Sequence, residues 1–250
     1  MVKYKKGMIF MMRFLKTNIN KILAILIYIV VFFILGDLFI KIFEDKVVDE
    51  NSAILYTVIN NIMIYTILIV SCAVLLKKEI ITDFKQLEKN NAVKVFITCL
   101  AGVGLVYAGN LVGTIITSIL GGEGSSTNQE TLELIMLSKY GPIMIIMIVV
   151  VGPIAEELIF RKSMHDLFRY FKLPSWAVLL ISSVLFGLIH VISAKDFVQV
   201  FPYICMGLTL GWLEIKTKNI FPSIFVHIFN NGVATAMIFF MDVFSDFITV

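Results

Sequence analysis

The chain has 250 residues and 28.2 kDa, and it pairs 59% hydrophobic content with only 16% charged residues at a mean hydropathy of +0.93. That balance excludes a disordered chain, a nucleic-acid module and an ordinary soluble enzyme, because the apolar residues are gathered into runs long enough to cross hydrocarbon. The net charge of +3 is too small to describe a polyanion binder, so the expected partner is the lipid bilayer and not a nucleic acid.

A spanning helix needs about 20 mostly apolar residues. In chain order the candidates are 22–43, 53–76, 95–119, 142 to 160 or slightly beyond, 174–193, 197–215 and 220–241. Between the second and third, residues 77–93 place Ile80, Phe84 and Leu87 at helical spacing among lysines, which predicts a helix lying on the membrane surface. The expected fold is therefore an all-α polytopic membrane protein of about seven transmembrane helices and one surface amphipathic helix. It reads as one membrane domain, 1–250, with a catalytic core at 142–231 and N-terminal helices at 1–119 that have no assigned role.

Basic residues in short loops mark the cytoplasmic side. Lys3, Lys5, Lys6, Arg13, Lys16 and Lys21 precede the first span, Lys77, Lys78, Lys85, Lys89 and Lys94 follow the second, Arg161, Lys162, Arg169 and Lys172 follow the fourth, and Lys216 and Lys218 follow the sixth. The alternate connections are acidic or nearly free of positive charge, with Glu44, Asp45, Asp49 and Glu50 after the first span, Glu123, Glu130 and Glu133 after the third, and Asp242 and Asp246 at the end. Lys41, Lys46 and Lys139 are mild exceptions. This pattern predicts a cytoplasmic N-terminus and an extracytoplasmic C-terminus. The first span is too long for the apolar region of a cleavable signal and reads as a retained anchor.

Ionisable groups inside hydrocarbon cost roughly 2.5–3.5 kcal/mol each on insertion scales, so their placement points to function. They cluster late. The fourth span carries Glu156, Glu157 and Arg161, the fifth carries Phe186 and His190, and the seventh carries His227 and Asn231. Glu156 and His190 lie equally far along the chain from Leu173, where the fourth and fifth spans must turn; at ~1.5 Å per residue both stand about 25 Å from that turn, and so at one level. Glu157 and Arg161 are four apart and can pair along one helix face, which leaves Glu156 pointing elsewhere, towards the histidines. His227 and Asn231, also four apart, share a face. Because His227 is close to the start of its helix, the level-matching places the site in the cytoplasmic half, with water arriving from that side.

A carboxylate with two imidazoles and a carboxamide in apolar surroundings can activate water and stabilise an oxyanion, as amide hydrolysis requires. Glu156, helped by His190, would polarise the water, His227 and Asn231 would donate to the oxyanion, and Glu157 with Arg161 would hold the helix. Two histidines and a glutamate can equally hold a divalent metal such as zinc with an open position for water. The chain has no H-E-x-x-H, and no elbow motif surrounds Ser182 or Ser183.

The segments EELIFR (156–161), FGLIH (186–190) and HIFNN (227–231) resemble, in order, the E-E-x-x-x-R, F-x-x-x-H and H-x-x-x-N motifs of the CAAX protease and bacteriocin-processing (CPBP, or Abi) family of intramembrane proteases. The resemblance covers 142–231. It implies that Glu156, His190, His227 and Asn231 are catalytic, with Glu157 and Arg161 as motif partners, and that the substrate is a membrane-associated peptide or protein. The family has been described both as metalloproteases and as glutamate-dependent proteases. Many members have Gly after the motif Arg where this chain has Lys162, a difference expected to alter packing or substrate approach. The size and simple loops resemble a bacterial plasma-membrane member. Two other functions fit the same residues: a bacteriocin self-immunity protein of the same architecture, and a proton-linked transporter using Glu156 and the histidines as a relay. No internal repeat supports the transporter.

The remaining polar or special residues have simpler expectations. Cys72, Cys99 and Cys205 read as packing residues, Gly207 and Gly211 as a close helix contact, His165 as solvated, and Trp176, Trp212 and Tyr203 as headgroup-level anchors. Asn60, Asn61 and Asn110 read as interhelical hydrogen-bonding groups, although they could also line a polar passage.

Overall fold

The computed structural model describes the backbone of residues 2–248 and the side chains of residues 11–244; Lys3, Lys5, Lys6 and Asp246 lie outside the described side chains. Among the described residues the chain is helical and contains no strand. We label the helices α1 (Met11–Lys46), α2 (Glu50–Leu75), α3 (Lys77–Lys89), α4 (Ala92–Ile119), α5 (Thr127–Leu137), α6 (Gly141–Tyr170), α7 (Ser175–Val191), α8 (Phe197–Thr217) and α9 (Phe221–Ile248). Six of these, α1, α2, α4, α6, α8 and α9, are long and apolar enough to cross a membrane. The seventh expected span, α7, is apolar but has only 17 residues, about 25 Å of helix. The fold is thus a polytopic all-α membrane protein, with α3 as the amphipathic helix anticipated from the spacing of Ile80, Phe84 and Leu87.

Helix ends follow from local chemistry. Asp49 caps α2 by accepting from the Ser52 backbone N–H at 2.7 Å, and this bond together with the Ser52 hydroxyl holds the Asp49 carboxyl below its usual range. Ser126 caps α5 by accepting from Gln129 N–H. Lys218, in the left-handed region at φ 53°, ends α8 and turns the chain into α9.

The apolar residues are distributed as hydrocarbon demands. Leu111, Val74, Ile119 and Trp176 project outwards, while Leu68, Leu76, Val106, Phe160, Phe186, Leu210 and Leu213 form the buried core. With lipid outside, association relies on close packing and not on expulsion of water, so small residues line the contacts. Gly207 lies where a Cβ would stand 3.0 Å from Ser183 Cα, and a Cβ at Gly211 would meet Leu179 at 2.6 Å; this is the close α7–α8 contact expected of that glycine pair. On α4, Gly102, Gly109 and Gly113 do the same against α8. A Cβ on Gly113 would fall 2.6 Å from the backbone of Pro202, which cannot yield as a flexible side chain would. Gly113→Ala is therefore expected to destabilise the protein by about 1–3 kcal/mol, seen as a lower thermal midpoint in detergent; an unchanged midpoint would contradict this helix approach.

The surface helix is anchored through Asp83. Its carboxylate accepts from Lys162 Nζ at 2.9 Å and from the Ile220 N–H at 3.2 Å, and its carbonyl accepts from Asn219 Nδ2 at 2.7 Å. Lys162 thus fastens α3 to α6.

Candidate active site

The site starts from a proline. In α6 the Gly152 N–H bonds to Met147 O, one residue further back than in an α-helix, so Met147–Val151 is a π-helical turn. In that register the Ile148 carbonyl would receive from residue 153, but Pro153 has no N–H to give. Asn231 of α9 supplies the missing donor, with Nδ2 3.0 Å from Ile148 O. A helix defect in α6 is thereby repaired by a residue of α9, and the two helices are registered at that level. A second π turn, Leu158–Ser163, follows Glu157 and carries Arg161.

Glu156 and Glu157 diverge, as adjacent helical residues must. Glu157 is wholly buried. Its carboxylate meets Arg161 Nη1 at 3.3 Å and accepts from His227 Nδ1–H at 3.0 Å and from the Ser223 hydroxyl. Arg161, also wholly buried, donates from Nη2 to Gly207 O at 3.2 Å and lies 4.3 Å from the Phe186 ring centroid. The expected Glu157–Arg161 pair is present, and Glu157 does more than pair: it fixes the His227 ring through Nδ1 and leaves Nε2 on the side of Glu156. Nε2 stands 3.8 Å from Glu156 Oε2, a distance that leaves the Glu156 carboxylate uncommitted. His190 donates from Nδ1 to Phe186 O at 2.8 Å, which likewise leaves its Nε2 available. Phe186 lies against both imidazoles, tilted to His190 and edge-on to His227, with ring centroids 4.8 Å and 5.9 Å away. The structure therefore gathers all six predicted residues, Glu156, Glu157, Arg161, His190, His227 and Asn231, around one place.

A cavity of about 940 Å³ reaches this place, lined by Glu156, His190, His227 and Asn231 at one end and by Gly122–Ser126, Asn128 and Gln129 at the other. Its lining includes no residue of α3 or of the turn between α6 and α7, so it reaches the surface at the loop between α4 and α5. This corrects the expected access from the side of the basic loops: the route from the site runs towards the sparsely basic side. The reason is the short α7. His190 sits in its last turn, near the end that faces the 122–128 loop. Asn61 and Asn110 line the cavity, whereas Asn60 does not.

One other expectation is corrected. His165 is not solvated; it is fully buried in α6, with Nδ1 2.8 Å from Glu214 and Nε2 2.8 Å from Ser182. A buried carboxylate at 214 needs partners, and Arg169 completes the set. Tyr203 lines the cavity and stacks on His190 at 4.4 Å. Sequence reasoning also missed Ser223, although it lies four residues before His227 and so on the same helix face.

Among the described residues no three His, Cys, Asp or Glu side chains converge closely enough to hold an ion. The Nδ1 atoms of His190 and His227 and the Glu157 carboxylate are engaged with protein groups, which leaves Nε2 of each imidazole and the Glu156 carboxylate for the chemistry.

Residues 138–233 match the model of the type II CAAX prenyl endopeptidase Rce1-like family. This segment is similar to the CAAX protease family. The Rce1-like segment contains all six residues of the site, while α1 to α5 lie outside it. Two bacterial proteins resemble the chain. A candidate membrane peptidase, YdiL of Bacillus subtilis (strain 168), is 35% identical over 133 residues, covering 53% of this chain and 51% of YdiL. The membrane-embedded CAAX protease MroQ of Staphylococcus aureus (strain USA300) is 31% identical over 135 residues, covering 53% of this chain and 54% of MroQ. The chain thus spans about half the length of the curated relatives it matches. No solved structure gives a significant match.

Proposed function

We propose that the protein is an intramembrane endopeptidase that hydrolyses a peptide bond in a membrane-embedded or membrane-delivered peptide by glutamate-activated water. The observation that carries this reading is the uncommitted Glu156 carboxylate, 3.8 Å from His227 Nε2 at the floor of a cavity roomy enough for a peptide. Glu156, assisted by His190, draws a proton from water as its oxygen bonds to the carbonyl carbon. The second N–H of the Asn231 amide donates to the oxyanion, and His227 donates beside it from Nε2 when that nitrogen carries a proton in addition to the Nδ1–H held by Glu157. Collapse of the intermediate breaks the C–N bond, and the departing amine takes the proton from Glu156. Arg161 balances Glu157, so that the Glu157 carboxylate stays charged and keeps His227 oriented.

The family match and the MroQ likeness support a membrane-peptidase reading. The charge pattern of the loops supports a multi-pass plasma-membrane protein with a cytoplasmic N-terminus, and in that orientation water and peptide approach from the extracytoplasmic side. Residues 142–231 serve as the catalytic core, and α2 and α4 contribute to the cavity wall through Asn61, Tyr65 and Asn110.

Comparing membrane peptides from cells carrying the native protein with those from cells carrying Glu156→Gln tests this directly. Uncut peptides are expected to accumulate with the variant. Identical peptide populations, with both proteins equally abundant, would remove the peptidase reading.

A further inference from the structure

Tyr203 takes no part in the three motifs, yet it joins two parts of the cavity. Its ring lies nearly parallel to the His190 imidazole, with centroids 4.4 Å apart and planes 18° apart. On its other edge Phe186 meets the same imidazole at 56°. His190 is thus held by one hydrogen bond, from Nδ1 to Phe186 O, by the stacked Tyr203 ring and by the tilted Phe186 ring. The Tyr203 hydroxyl lies 2.7 Å from Ser126 Oγ and accepts from Asn128 Nδ2 at 3.4 Å. Ser126 is the residue that caps α5, so the hydroxyl is tied to the helix start at the cavity mouth. Neighbouring bonds stitch the same margin: Gln199 Nε2 donates to Glu123 O at 3.2 Å, and the Thr127 N–H donates to Asp196 Oδ2 at 3.2 Å.

We propose that Tyr203 is a positioning residue for the reaction, its ring setting the plane of the His190 imidazole and its hydroxyl fastening that plane to the Ser126 and Asn128 edge of the cavity mouth. This rests on the peptidase reading for its catalytic consequence, but not for its geometry. An imidazole hydrogen-bonded at one nitrogen can still rotate about that bond, and a stacked ring removes that freedom. A general base helper displaced by even 1 Å loses much of its effect.

Because the chain has three histidines, a full-length protein labelled with 15N-histidine in detergent micelles gives a spectrum in which His165 and His227 serve as internal references. Tyr203→Leu is expected to remove the upfield shift that the stacked ring imposes on the His190 ring protons, and Tyr203→Phe to keep it. In the same preparations, cleavage of an internally quenched farnesylated CAAX peptide is expected to lose about 10- to 100-fold in kcat with Tyr203→Leu, the scale of a misplaced catalytic group. Tyr203→Phe keeps the ring, and so should restore kcat to within about threefold while raising KM about fivefold, the scale of one lost neutral hydrogen bond at the mouth. His190 resonances unchanged by Tyr203→Leu, or wild-type kcat in that variant, would overturn the proposal. A wild type that cleaves no peptide, or a Glu156→Gln variant that cleaves fully, would count against the peptidase reading instead, and the spectra would still decide the positioning of His190.

Discussion

Glu156→Gln is expected to leave a folded protein that cleaves peptide about 10²- to 10⁴-fold more slowly, the range contributed by one general base. The substitution keeps the shape of the side chain and removes only its capacity to take a proton. It breaks no ion pair on which the fold depends, because Glu156 lies 3.8 Å from His227 and the charge of Arg161 is met by Glu157. The thermal midpoint should accordingly stay at or above the wild-type value, since an uncommitted carboxylate in apolar surroundings costs stability. Measuring kcat and the midpoint on the same detergent preparation separates the two effects. Full cleavage by the variant would remove Glu156 from the chemistry, and a collapsed midpoint would show that it is structural.

Arg161→Ala has the opposite profile. Arg161 and Glu157 are both 0% exposed, and removing the guanidinium leaves a buried carboxylate whose remaining partners are the Ser223 hydroxyl and His227. Breaking a buried pair on one side costs about 3–5 kcal/mol, so the variant should unfold at a much lower temperature or fail to accumulate. Replacing both members with leucine is the control, because an apolar pair of similar volume is often neutral or stabilising. Glu157→Leu with Arg161→Leu should recover much of the midpoint and none of the activity, since His227 then loses the acceptor that fixes its ring. A double variant that cleaves peptide would show that the pair serves the fold alone.

Much of this site is legible in the residue order. Polar groups in spans of a membrane chain are expensive, and the i,i+4 spacing of Glu157 with Arg161 and of His227 with Asn231 announces shared faces. What the spacing conceals is which partner from another helix answers each group. Glu157 pairs within its own helix as expected, but its contacts to His227 and Ser223 depend on the azimuth of α9. The bond from Asn231 to Ile148 arises from a π turn before Pro153; the proline marks a break in the α-helical pattern without naming the residue that repairs it. The side of access is hidden for a similar reason: counting residues from one turn places His190 and Glu156 on a level but says nothing about how far α7 reaches towards the opposite surface. Tyr203 reads as an interface aromatic because it lies near a span end; its approach to His190 follows from the close α7–α8 packing at Gly187 and Gly207, where added Cβ atoms would stand 2.7 Å from Ile204 and 3.0 Å from Ser183.

A structure of Glu156→Gln bound to a peptide it cannot cut tests the central arrangement most directly. The expected result is a scissile carbonyl in the cavity beneath Gly122–Asn128, separated by one water from the side chain at 156 with each contact about 3 Å, and its oxygen turned towards His227 and Asn231. A peptide seated outside that cavity, or one whose carbonyl points away from His227, would contradict it.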